Sequence, residues 1–130
     1  MRTRIASLVL AATVAASDAA ACGACLEDKI AATYDYAVIQ QAAAQGDVVV
    51  FCELGGTVDA SRLRAAARRV RGLDAASMRI AEAPPALSFA LDGARESPQD
   101  AVSALQRAVP DTRITIIRLI ASSTEGVPTR

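Results

Sequence analysis

From Leu26 to Gln45 the apolar residues Leu26, Ile30, Tyr34, Ala37, Val38 and Ala42 recur at intervals of three and four. That period builds one buried stripe on a helix. Glu27 and Asp28 sit in its first turn, where the helix dipole favours negative charge, and Gly46 is a natural stop. The spacing predicts a single helix with Tyr34 on its buried face and Tyr36 outside. Asp47 then introduces Val48-Val49-Val50-Phe51-Cys52-Glu53-Leu54, a β-branched run of strand length that is apolar on both faces and stopped by Gly55-Gly56. Val49 and Phe51 must point away from Val48, Val50 and Cys52. Asp59 is an expected N-cap for a second helix through Leu73, with Leu63, Ala66, Val70 and Leu73 as its stripe and Gly72 near its end.

The remaining pattern repeats this order. Met78 and Ile80 alternate with Ser77, Arg79 and Ala81, and Leu87, Phe89 and Leu91 alternate with Ser88 and Ala90, the period of two expected of half-buried strands. Pro84-Pro85 supplies the turn between them. Ser97-Pro98-Gln99-Asp100 combines a hydroxyl cap, a proline at the first helical position and an acid in the first turn. The helix it starts buries Val102, Leu105 and Val109 and stops at Pro110. Arg113 to Ile120 is a last strand of high β propensity. Strand, helix, strand, strand, helix, strand, with right-handed crossovers, lays both helices on one side of a four-stranded antiparallel sheet. The expected class is therefore α+β, a ferredoxin-like βαββαβ domain over residues 47–121, preceded by an N-terminal helix and followed by a disordered tail, 122–130. The opposite sheet face needs a cover, which the N-terminal helix supplies; a homodimer is the rival cover.

The pattern before Leu26 is an address. Arg2 and Arg4 precede an apolar run, Ile5 to Ala16, too short for a comfortable bilayer crossing, and Ala19-Ala20-Ala21 offers an Ala-x-Ala cleavage site. Residues 1–21 read as a secretory signal peptide, so the protein is expected to be exported, with the periplasm as its compartment and no membrane span once the signal is removed. Lipid anchoring at Cys22 is the rival fate, disfavoured because alanine, not leucine, stands three residues before it. Residues 22–46 then form the N-terminal segment of the mature chain.

Charge and composition narrow the chemistry. Fourteen basic residues balance fourteen acidic ones, histidine and tryptophan are absent, and aromatics make up 3%, so neither the basic field nor the stacking rings of a nucleic-acid binder are present. Without histidine there is no ordinary Ser-His dyad and no His-containing zinc site. Five arginines, Arg62, Arg64, Arg68, Arg69 and Arg71, read as the solvated face of the second helix. Glu27, Asp28 and Asp35, the last two seven residues apart on one predicted helical face, read as surface groups.

Cysteine carries what chemistry is left. Cys22-Gly23-Ala24-Cys25 has a spacing that suits three uses. Two thiolates hold a soft ion such as Cu(I); the pair cycles as a thiol-disulfide oxidoreductase, with Cys22 attacking and Cys25 resolving; or a disulfide braces the N-terminus, the default state of an exported protein. Cys22 and Cys25 are the candidate metal ligands, no catalytic residue is assigned, and a metal-handling or redox protein is the expected partner. Binding rather than catalysis is the expected role. Cys52, amid valines, reads as a small buried hydrophobe of raised pKa. It joins the others in a three-sulfur site only if the N-terminal motif folds against its strand.

The stretch from Val48 to Ile120 resembles a heavy-metal-associated domain, the ferredoxin-like module of copper chaperones and metal-pumping ATPases. The likeness lies in the element order, the glycine-containing loop, the helix ending in Arg71-Gly72-Leu73, the strand pair and the Ser97-Pro98 helix. That family holds its metal with a Met-x-Cys-x-x-Cys loop after the first strand. Here the loop is Glu53-Leu54-Gly55-Gly56-Thr57-Val58-Asp59-Ala60 and contains no sulfur, so the resemblance implies the fold and a metal-handling setting, with no ligand in that loop.

Overall fold

The computed structural model describes residues 19–121, with side chains from Leu26 onward; most of the expected leader and the tail 122–130 lie outside the described residues. In chain order the elements are α1 (Ala19–Thr33), α2 (Tyr36–Gln45), β1 (Val48–Gly56), α3 (Ala60–Ala67), β2 (Leu73–Glu82), β3 (Pro85–Leu91), α4 (Pro98–Ala108) and β4 (Thr112–Ala121). The four strands form one antiparallel sheet in the order β2-β3-β1-β4, the ferredoxin-like order expected of two βαβ units.

Two helices stand where the apolar spacing predicts one. Asp35 is extended (φ −132°, ψ 112°) and its carboxylate accepts from the N–H groups of Ala37 and Val38, so it starts a new helix rather than continuing the old one. A second bond, from Arg79 Nε to Asp35 Oδ2 at 3.0 Å, fixes the corner to β2. The break rotates Tyr34 outward, where it is 49% exposed, and separates Asp28 from Asp35; the expected buried Tyr34 and shared carboxylate face are both corrected by this cap. α3 likewise ends at Ala67, and Leu73 already belongs to β2.

Alternation along the strands sorts side chains into two cores. Val50, Cys52, Leu54, Leu87, Phe89 and Leu91 meet Leu63, Ala67, Ala101 and Leu105 of α3 and α4. On the other face Val49, Phe51 and Ala90 meet Ile30 of α1 and Val38 and Ala42 of α2. The N-terminal segment therefore covers the second face, as expected, and each fully buried Leu or Phe contributes about 2 kcal/mol relative to exposure. β3 makes this possible: its α1 side carries only Ala86, Ser88 and Ala90, while its other side carries Leu87, Phe89 and Leu91. Small residues let α1 approach the sheet closely.

Two irregularities correct simple alternation. In β4, Phe51 faces Arg118 and Cys52 faces Ile116, leaving Ile117 as an extra residue. The bulge turns Arg118 to the α1 side instead of into the α3–α4 core. In β2 the register slips between Asp74 and Arg79, and the Ser77 hydroxyl bridges the gap, accepting from the Ala90 N–H at 2.7 Å and donating to the Asp74 carbonyl at 2.6 Å. The strand pair closes through Ala83-Pro84, a cis peptide bond, and at the far side Gln106 ties α4 to β4 by accepting from the Ile114 N–H and donating to the Val109 and Thr112 carbonyls.

Candidate functional site

The segment bearing the Cys-x-x-Cys is built into α1, which spans Ala19–Thr33. Three kinds of contact seat this helix on the sheet. Ile30 is buried against Val49 and Phe51. Lys29 Nζ lies 2.7 Å from Glu53 Oε2 on β1, and Arg118 Nη2 on β4 lies 3.0 Å from Glu27 Oε1. At the C-terminal end the Ser88 hydroxyl donates to the Thr33 carbonyl at 3.0 Å, satisfying one of the orphan carbonyls of a helix terminus. Thr33 itself is buried, and its own hydroxyl has no hydrogen-bond partner among the described residues. The Lys29–Glu53 pair is the better shielded of the two ion pairs, since the other is about half exposed on both sides. Solvated pairs of this kind contribute at most about 1 kcal/mol, so burial of Ile30 carries more of the docking.

Positions 22 and 25 fall within the first two turns of α1, on one side of it by the i, i+3 rule. The side chains of Cys22 and Cys25 lie outside the described residues. Cys52 is described, and it is remote in the sense that matters. The residue is 1% exposed in the α3–α4 core, while α1 packs on the opposite face of the sheet. Desolvation pushes the Cys52 thiol up to about 12. β1 alternation directs Cys52 away from the face on which α1 packs, so the condition set for a three-sulfur site, the motif folding against the Cys52 side of the strand, is not met by the described part of α1. Among the described residues no cluster of three or more Cys, Asp, Glu or His side chains is arranged to hold a metal ion.

The charged residues after the motif have structural tasks. Glu27 and Lys29 anchor α1, and Asp35 caps α2. The Arg79 guanidinium, with the backbone N–H of Val38, holds the Asp35 carboxyl below its usual value. Asp28 lines an open groove of about 490 Å³ between α1 and the β2–β3 turn, with Lys29, Ala31, Ala32, Ala83 and Pro84. Asp47 is pushed up, by partial burial first and then by the charges of Asp92 and Asp74. The roles of Glu27 and Lys29 had no local signal, because their partners are 91 and 24 residues away. The five arginines of the α3 region are all exposed, as expected of a solvated face.

The loop after β1 begins later than the sequence suggests, because the strand continues through Gly56. Gly56 is required there: φ is +75°, and a Cβ would sit 2.4 Å from the Asp111 carbonyl oxygen. The Thr57 N–H donates to that same carbonyl at 3.1 Å, so the loop is tied to the start of β4.

No helix among the described residues is long and apolar enough to cross a membrane. Comparison with known proteins yields no matching family, no similar curated protein and no similar solved structure.

Proposed function

We propose that the chain is an exported small binding module that holds a soft metal ion, with Cu(I) the leading candidate, between the thiolates of Cys22 and Cys25. The observation that carries this reading is that the Cys-x-x-Cys belongs to a helix, α1, docked on the domain rather than to a free leader. Unpaired N–H groups in the first turn favour the thiolate form, and two thiolates suit a soft monovalent ion. The resemblance of residues 48–120 to heavy-metal-associated domains supports the same setting, with the ligands moved from the loop after β1 to the preceding helix. A metal-handling partner protein fits this role.

The test is anaerobic Cu(I) titration of the reduced protein against a competing chelator. One equivalent binds, and Cys22→Ser and Cys25→Ser each abolish uptake while Cys52→Ala does not. Undiminished binding by either serine variant overturns the reading. A reduction potential below about −300 mV would make the pair a structural brace, and insulin-reductase activity would make it an oxidoreductase. The mass of the mature N-terminus tests export, since it distinguishes cleavage before Cys22 from a lipid adduct on it.

A further inference from the structure

The α3 region concentrates charge that the rest of the fold leaves uncompensated. Arg62, Arg64, Arg68, Arg69 and Arg71 lie within ten residues and all are exposed. None forms an ion pair within the described residues, although Arg64 donates to the Met78 carbonyl at 3.3 Å. Between Asp59 and Gly72 the only acid is Asp59, and its carboxylate caps α3 by accepting from the Arg62 N–H. Like charges on adjacent turns of a helix repel. In a chain of zero formal charge, this face is therefore a local excess with no ion-pair partner among the described residues.

Shape adds to charge. Arg62 and Arg69 flank an open groove of about 200 Å³ between α3 and α4, with Ala65, Ala66 and Ala108 along it. The two guanidinium-bearing positions are seven residues apart, Arg62 in the first turn of α3 and Arg69 in the hydrogen-bonded turn that follows it, roughly 10 Å along that path. The methyl groups between them admit another backbone closely.

We propose that this α3–α4 groove docks an acidic helix of a partner protein, with carboxylates about two turns apart meeting Arg62 and Arg69. Guanidinium and carboxylate match as planar, two-point partners. A membrane surface fits less well, because the exposed large apolar side chains among the described residues are Leu26, Tyr34, Tyr36 and Leu119, none of them on α3 or α4, and a basic helix without apolar anchors does not insert. Nucleic acid fits less well because no aromatic ring is interleaved with the arginines. The groove lies on the opposite sheet face from α1, so its occupation is independent of metal at Cys22 and Cys25, and either proposal can fail alone.

The experiment uses the full chain and a fluorescein-labelled, alanine-based helical peptide with Glu residues seven apart, followed by fluorescence anisotropy at low salt. The Glu peptide binds and its Gln counterpart does not, and affinity falls as salt is raised. Arg62→Glu with Arg69→Glu weakens binding by at least about tenfold, while Arg113→Glu, on the other sheet face, changes it by less than about twofold. Circular dichroism of both variants checks that they fold. The proposal is overturned if the Glu and Gln peptides bind alike, if charge reversal has no effect, or if phosphatidylglycerol vesicles or duplex DNA bind this face more tightly than the peptide.

Discussion

Cys52 offers the sharpest test of how the fold divides its sulfur. In a Cys22→Ser, Cys25→Ser background it is the single thiol of the chain. Its burial moves the thiol from an ordinary 9.0 to about 12. Near pH 8 the unfolded chain then carries about one thiolate in ten and the folded chain about one in ten thousand, a thousandfold loss of the reactive form. Cys52 is also only 1% exposed, so even that fraction reacts only through opening of the α3–α4 core. Iodoacetamide labelling, followed by intact mass in buffer and in denaturing guanidinium chloride, should show a native rate at least about a thousandfold below the unfolded one. The same shift has a thermodynamic consequence of definite sign. Between pH 9.0 and about 12 the unfolded chain has released a proton that the folded chain retains. Stability relative to Cys52→Ala is therefore constant below pH 9 and falls above it, by about 1.4 kcal/mol per pH unit. A native labelling rate within about tenfold of the unfolded rate, or parallel alkaline stability curves for the two proteins, would refute the reasoning.

Two further perturbations probe the scaffold that presents α1. Asp35→Ala removes the α2 cap and the partner of Arg79, so amide exchange at Ala37 and Val38 should accelerate; because the Asp35 carboxyl is held below its ordinary 3.8, the stability it contributes is present above that value and is lost as pH falls through the lowered one, a difference readable as the gap between wild-type and variant acid-denaturation curves. Gly56→Ala forces a Cβ to within 2.4 Å of the Asp111 carbonyl at φ +75°, and chemical denaturation should show a loss of about 2 kcal/mol or more; a loss below about 0.5 kcal/mol would mean the β1–α3 loop tolerates another path.

Much of the domain is written in local pattern. Ser97 caps α4 and Asp59 caps α3 through their own side chains, an interaction spanning three residues that needs no tertiary context. The split of β1 between two cores follows from strand geometry alone, since Val49-Phe51 and Val50-Cys52 cannot share a face. The apolar period between Leu26 and Ala42 misled in one respect. It measures burial, and both α1 and α2 are buried on the same sheet face, so the stripe continues across a break that the Asp35 cap imposes. The candidate thiol pair was legible as a motif, whereas the anchors Glu27 and Lys29 were not.

From residue order alone came the order of the four strands and of α3 and α4, the burial of Cys52, the Asp59 and Ser97 caps, and the Cys22-x-x-Cys25 motif. Tertiary structure alone decided that Asp35 meets Arg79 where the N-terminal segment breaks into α1 and α2, that a bulge at Ile117 brings Arg118 to Glu27, and that Arg62 and Arg69 flank a groove with Ala108 of α4. The reason is range. Caps, turns and alternation depend on neighbours a few residues away, while these placements depend on contacts between distant segments whose partners no local pattern specifies.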